Sequence, residues 1–173
     1  MHRSSEERFH EIYQRHVDAV TAYVRRRSPA DSVEDVVAET FLICWRKLEG
    51  VPEEPLPWLY AVARKTLANQ RRAMSRNALA TWGDAAGAIP QIDGDPVLRR
   101  AFALLSEPDR EVLRLIAWEH LSLRDAAITL GCSYVACRVR FHRARRRLAA
   151  HLTRLEETTT AATPRPHPKG AIR

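Results

Sequence analysis

Ser122-Leu123-Arg124-Asp125-Ala126-Ala127-Ile128-Thr129-Leu130-Gly131-Cys132-Ser133-Tyr134-Val135-Ala136-Cys137-Arg138-Val139-Arg140-Phe141-His142-Arg143-Ala144-Arg145-Arg146-Arg147-Leu148 decides the fold of this chain. Ser122-x-x-Asp125 opens a short helix through Ala126, Ala127 and Leu130. Gly131 stops it, because a glycine past the last turn takes the left-handed conformation at no steric cost. Ser133 then caps a long helix expected to reach about Leu155. Helix, three-residue turn with glycine, helix is the outline of a helix-turn-helix.

A helical wheel separates the two sides of the second helix. Cys137, Phe141, Ala144 and Leu148 recur at intervals of four, three and four, so they share one narrow face and pack inward. Val135, Arg138, Val139, His142, Arg143 and Arg146 lie opposite them. Six arginines fill the ten positions from Arg138 to Arg147, and they repel one another until phosphate neutralises them. In such a unit the second helix enters the major groove, where its first residues reach bases and later ones meet phosphate. Tyr134, Val135, Arg138, Val139, His142, Arg143 and Arg146 are the DNA-facing candidates; Arg138, with Val139, is assigned to base edges, and Arg143 is suited to either role. Arg145, Arg146 and Arg147 are suited to the backbone.

Working outward, Leu98, Ala101, Phe102 and Leu105 open this module, and Ser106-Glu107-Pro108-Asp109 begins a helix with proline in its first turn. Val112, Leu113, Leu115, Ile116 and Trp118 give that helix an apolar side. Upstream, from about Arg76 to Pro96, alanine, glycine, aspartate and proline replace any sustained period, which reads as a flexible linker. Before it lie three more helices. Ser4-x-x-Glu7 has capping-box form and leads Phe9, Ile12, Tyr13, Val17, Val20 and Val24 at helical spacing, to an end near Arg27. Ser32-x-x-Asp35 starts the second, with Val37, Phe41, Cys44 and Leu48 inward and Gly50 as the expected stop. After the proline-rich turn from Val51 to Pro57, Trp58, Leu59, Val62, Ala63, Thr66 and Leu67 form the apolar side of the third. The fold expected is all-α: a module over 5–75, a linker over 76–96, a module over 97–155, and a disordered tail over 156–173.

The bulk composition agrees with a partner of negative charge. The chain has 173 residues and a formal net charge of +7, nearly all from arginine, since only Lys47, Lys65 and Lys169 are lysine. No run of about 18 apolar residues is present, and the amino terminus lacks the apolar core of a signal peptide, so a reducing cytoplasm is the expected location. Three widely placed cysteines fit that compartment. Cys132 and Cys137 have no histidine pair at ligand spacing, so no metal is expected. No phosphate-binding glycine loop, G-x-S-x-G or H-E-x-x-H occurs, and no catalytic set, cofactor or small-molecule substrate is expected. These residues alone leave a self-sufficient helix-turn-helix regulator open, which would bind a palindrome as a dimer. An enzyme acting on nucleic acid is a weaker third reading.

The ordered set of motifs narrows this. Phe9-His10-Glu11-Ile12-Tyr13 with Tyr23-Val24-Arg25-Arg26 resembles the start of region two in the extracytoplasmic-function (ECF) sigma factors of the sigma-70 family. Glu34-Asp35-Val36-Val37-Ala38-Glu39-Thr40-Phe41-Leu42-Ile43-Cys44-Trp45 resembles the helix of that family that docks on the β′ clamp helices of RNA polymerase. Pro57-Trp58-Leu59-Tyr60-Ala61-Val62-Ala63-Arg64 resembles its −10 reading helix. Leu104-Leu105-Ser106-Glu107-Pro108-Asp109-Arg110-Glu111-Val112-Leu113 and Arg143-Ala144-Arg145-Arg146-Arg147-Leu148 resemble region four, which reads the −35 element. The likeness spans about residues 5–152 in family order.

That resemblance implies a promoter-specificity subunit of bacterial RNA polymerase, with core enzyme (β′ clamp helices and β flap) and promoter DNA as partners. An anti-sigma factor is common in the family but leaves no readable mark here. Asp35, Glu39, Leu42 and Ile43 are implied to meet core; a solvated acidic face explains the acids equally, and core packing suits Phe41 and Trp45. Arg64, Lys65, Asn69, Arg71 and Arg72 are implied to meet the unstacked −10 strand, as a cationic groove with an amide would. Trp58 reads better as core than as a base platform. The family places asparagine often at the position of Lys65, so this chain departs there, whereas Asn69 matches. The loop Glu49–Leu56, with Pro52 and Pro55, is implied to shape the base pocket. The linker is implied to run through the RNA exit path, where Asp84, Asp93 and Asp95 give it an acidic middle.

Overall fold

The computed structural model describes residues 4–78 and 95–161, and every regular element among them is helical. Seven α-helices form two sets among the described residues. The amino-terminal set is α1 (Ser5–Arg25), α2 (Val33–Arg46) and α3 (Leu56–Ala78), with single 3-10 turns at Ala30–Ser32 and Leu48–Gly50. The carboxy-terminal set is α4 (Pro96–Ala103), α5 (Glu107–Ala117), α6 (Leu123–Leu130) and α7 (Tyr134–Ala161).

Local chemistry explains most of the boundaries. Ser4 and Glu7 close a reciprocal capping box, each side chain taking the other residue's backbone N–H. Gly131 has φ 65°, so the turn between α6 and α7 is left-handed at that residue. Ser133 Oγ accepts from Ala136 N–H at 3.2 Å and starts α7. Arg110 ties the α4–α5 corner by donating to the carbonyls of Ala103 and Leu105, at 3.0 and 2.8 Å.

Several expected boundaries move. Ser32 makes no side-chain cap, and α2 ends at Arg46, so Gly50 closes a 3-10 turn rather than the helix. Helix α3 runs three residues into the span read as linker. Asp95 caps α4 through Val97 N–H at 2.8 Å, so it is a helix cap and not a linker acid. Helix α7 continues past Leu155 to Ala161, and the first residues of the expected tail are helical. Unbroken i to i−4 bonding carries it where composition suggested a stop. Asp84 and Asp93, most of the linker span, and the tail beyond 161 lie outside the described residues.

The larger difference is that the two sets of helices pack on one another. Buried residues of both, from Val20, Tyr23 and Leu59 to Phe102, Leu115 and Cys137, belong to one continuous apolar cluster. Helix α3 lies against α6, where the fully buried Thr129 donates to the Pro57 carbonyl at 3.0 Å. The modules touch in this conformation.

Candidate nucleic-acid and protein interfaces

Helix α7 presents the surface expected of a recognition helix. Cys137 and Ala144 are fully buried, with Phe141 and Leu148 half-buried beside them. Tyr134, Val135, Arg138, Val139, His142, Arg143 and Arg146 are all exposed. Val135 is 60% exposed, which is unusual for a β-branched apolar residue and suits contact with a thymine methyl. The Arg124 guanidinium stands over the Tyr134 ring, 5.5 Å from its centroid, and so connects the two helices of the unit on the outside. One arginine of the run is otherwise engaged: Arg147 forms an ion pair with the buried Asp109 of α5.

The acidic and apolar residues of α2 gather as expected. Asp35, Glu39, Leu42 and Ile43 line one open groove with Ala38 and, from α3, Thr66, Asn69 and Gln70. Asp35 and Glu39 are exposed and Leu42 is 41% exposed, whereas Phe41 is buried and stacks edge-on with Tyr13, centroids 4.8 Å apart. Trp45 departs from the core reading. It is 42% exposed and leans edge-on against Phe9 at 5.2 Å. Trp58 is half-buried against the core.

The five residues of α3 do not share one groove. Arg64, Lys65, Arg71 and Arg72 line a cleft of about 420 Å³ facing the second module, together with Arg140 of α7. Asn69 lies on the α2 side, and its Oδ1 accepts from Arg72 Nη2 at 3.1 Å. Arg71 donates to the Arg27 carbonyl at 2.6 Å and stands 4.0 Å from Glu107. A helix turns 100° per residue, so a polar run along α3 is divided between two neighbours.

Behind the cleft lies a buried ionic cluster that the sequence reading missed. Arg27 donates to Glu111 at 3.0 Å and to Glu119 at 2.8 Å, and it is 4% exposed. Arg26 pairs with Glu119 from the solvent side. The Tyr23 hydroxyl donates to Glu111 at 3.0 Å, and the Arg27 guanidinium stacks 3.7 Å from the centre of the Tyr23 ring. Tyr60 stacks on Tyr23 in turn, at 4.6 Å. Burial opposes the charge of Arg27, but Glu111, Tyr23 and Glu119 outweigh it and raise its pKa. Burial, reinforced by Glu111, holds the Tyr23 hydroxyl protonated well above its usual range. Arg114 moves the other way, its pKa lowered by burial despite Glu107 and Glu111. A run such as Tyr23 to Arg27 reads as an ordinary polar helix end, since partners some ninety residues away leave no periodicity.

Among the described residues, no three His, Cys, Asp or Glu side chains stand together as metal ligands, and no helix is long and apolar enough to cross a membrane.

Described residues that are helical throughout their regular elements, joining a groove-forming α2–α3 pair to an arginine-faced helix-turn-helix, fit a nucleic-acid-binding protein in class. The family comparisons make the class specific. Residues 12–77 match sigma-70 region 2 and residues 97–148 match sigma-70 region 4. The ECF RNA polymerase sigma factor SigL of Mycobacterium tuberculosis is 30% identical over 160 residues, covering 85% of this chain and 90% of SigL. The RNA polymerase sigma factor NccH of Alcaligenes xylosoxydans xylosoxydans is 27% identical, covering 83% and 86%. Among solved structures, RpoE of Bartonella quintana, in complex with the anti-sigma factor NepR, superposes with a TM-score of 0.67. It is 25% identical, with 84% of this chain and 96% of that one covered. CnrH in complex with the cytosolic domain of CnrY gives 0.55 at 25% identity, covering 90% and 89%. This chain belongs to the ECF sigma factors of the sigma-70 family, which are transcription initiation factors. The self-sufficient regulator is not favoured, because both regions match in family order across most of the chain.

Proposed function

We propose that this sigma factor binds bacterial core RNA polymerase through the α2 groove and directs it to promoters through α3 and α7, without catalytic chemistry of its own. Residues 5–75 would serve core and the −10 element, and residues 97–155 the −35 element. The observation that carries the reading is the two-sided α7, with Cys137 and Ala144 buried and six groove-facing residues from Val135 to Arg146 exposed. Arg138 and Val139, in the first turns, fit base edges; Arg143 and Arg146 fit phosphate. Asp35 and Glu39 with Leu42 and Ile43 combine charge for orientation with apolar area for affinity, as a docking face requires. Arg64, Lys65 and Arg72 supply the cations for a single strand, and Asn69 supplies an amide on the neighbouring face. RpoE of Bartonella quintana was captured with the anti-sigma factor NepR, so a protein inhibitor is a further proposed partner. The cytoplasm, where polymerase works, is the proposed location.

Run-off transcription with purified core enzyme tests this. Transcripts from a cognate promoter that require the added chain, and co-elution with core in gel filtration, are the expected results. Specific operator binding by the chain alone, with no association with core, would overturn the proposal.

A further inference from the structure

Cys132 and Cys137 meet inside the helix-turn-helix, and the promoter reading gives neither thiol a task. Their approach follows from two caps that share one turn. At the end of α6, Gly131 N–H donates to the Ile128 carbonyl and Cys132 N–H to the Ala127 carbonyl, both at 3.1 Å. That paired motif pins Cys132 as the second residue beyond α6. Cys132 also precedes the Ser133 cap of α7, and Cys137 is the fourth residue of that helix. Side chains at those two positions pack on one another at many helix starts. Here both are cysteine. Cys137 is fully buried, and Cys132 is half-buried against the same apolar cluster. Burial first, then the charge of Cys132, pushes the Cys137 thiol above its ordinary pKa; Arg140 opposes this, and a hydrogen bond between the two side chains adds to it. The two thiols are therefore neighbours, and both are free.

Their exposure assigns them different parts in an oxidation. Cys132 reaches the surface, where a small oxidant meets it first, and Cys137 lies behind it. Cys44, the third cysteine, is fully buried in α2, and burial pushes its thiol up to about 11 against the pull of Arg8. A thiol so protonated is a poor nucleophile. Disulfides in a reducing compartment are ordinarily transient and redox-sensing rather than structural.

We propose that Cys132 and Cys137 form a reversible dithiol–disulfide site, oxidised by a hydroperoxide, that withdraws α7 from the −35 element. This rests on the reading of α7 as the −35 helix. The Cys132 thiolate attacks a peroxide oxygen and the O–O bond breaks. Cys132 becomes the sulfenic acid, and the displaced oxygen takes a proton and leaves as water or an alcohol. The Cys137 sulfur then attacks the Cys132 sulfur, the S–O bond breaks, and the hydroxyl leaves as water with the Cys137 proton. Two electrons have passed from the thiols to the peroxide, and a small dithiol reverses the change by exchange. Bonding draws the sulfurs closer than non-bonded contact allows. The residues it brackets, Ser133 to Ala136, move with them. They include the cap bond from Ala136 N–H to Ser133 Oγ and the exposed Tyr134 and Val135.

Hydrogen peroxide treatment of the reduced full chain, desalted before core polymerase is added, tests the site. Residues 125–138 form one tryptic peptide that holds both cysteines. Mass spectrometry is expected to find that peptide short of two hydrogens and closed to alkylation, with Cys44 still a free thiol. Run-off transcription from a cognate promoter should fall several-fold and return with dithiothreitol. Cys132→Ser should transcribe like the reduced wild type and keep its output after peroxide. Oxidation and reduction are read on the wild type, so a misfolded variant leaves the test intact. Both thiols still open to alkylation after peroxide, a disulfide that leaves transcription unchanged, or an equal loss in Cys132→Ser would each overturn the site. If the reduced chain supports no transcription with core, the promoter reading fails instead, while the mass spectrum still decides whether the thiols pair.

Discussion

Arg27, at the end of α1, holds Glu111 of α5 across 84 residues of sequence, its Nε 3.0 Å from one carboxylate oxygen and 3.1 Å from the other. Both side chains are buried. Arg27→Met and Glu111→Gln are therefore expected to be non-additive, with a coupling of about 0.5–3 kcal/mol in urea denaturation, as for residues sharing one ionic network. Additive losses would show that the pair does not form in solution.

The proposed recognition by α7 divides into base and phosphate contacts. Arg138→Ala is expected to cost about 1–3 kcal/mol at a single −35 position, seen as relaxed specificity in promoter competition. Arg146→Ala should weaken all promoters alike and lower the salt slope by about one. Equal, sequence-independent effects from both would reverse the assignment.

On α2, docking and packing are separable because the residues face different ways. Asp35→Lys and Glu39→Lys lie on the exposed groove and should weaken core association while shifting stability by no more than about 0.5 kcal/mol. Phe41→Ala empties a buried site and should cost about 3–5 kcal/mol in thermal or urea unfolding. Normal core binding by both lysine variants would remove this groove from the interface.

Gly131 sits at φ 65°, and a Cβ there would meet nothing within 4 Å. Its replacement by alanine is thus a conformational cost alone, about 1–2 kcal/mol. Gly131→Asn should cost less, because asparagine tolerates the left-handed region. A neutral Gly131→Ala in urea denaturation would mean the turn relaxes.

His16 of α1 has its pKa lowered from 6.5, first by burial and then by Arg15, against the opposing pull of Glu54. The unfolded chain then binds the proton more readily than the folded one. Stability contributed by neutral His16 is complete above 6.5 and falls as the pH drops through that value. Unfolding midpoints at pH 7.5 and 5.5 are expected to differ more in the wild type than in His16→Gln. An equal difference in both would assign the acid sensitivity to other groups.

How much of this was legible in the residues varies by element. The capping box at Ser4 and Glu7, the glycine turn at Gly131 and the inward Cys137–Ala144 stripe were legible because each is set by partners within four residues. Both faces of α7 followed from that spacing. The polar residues of α3 were legible as a set but not as two faces, since only the neighbouring α2 and α5 decide which side each arginine meets. Trp45 was misread for a related reason: spacing marks it as inward, but α2 lies so that its ring reaches only Phe9 at the edge.

The sequence by itself therefore determined helices, their caps, the helix-turn-helix and a basic outer face on α7, all of which depend on interactions along one turn or two. Tertiary structure alone decided that Arg27 would be buried between Glu111 and Glu119, and that the modules would meet through α3 and α6. Charge along a helix reads the same whether water or a distant carboxylate neutralises it. Only the packing that excludes the water distinguishes them.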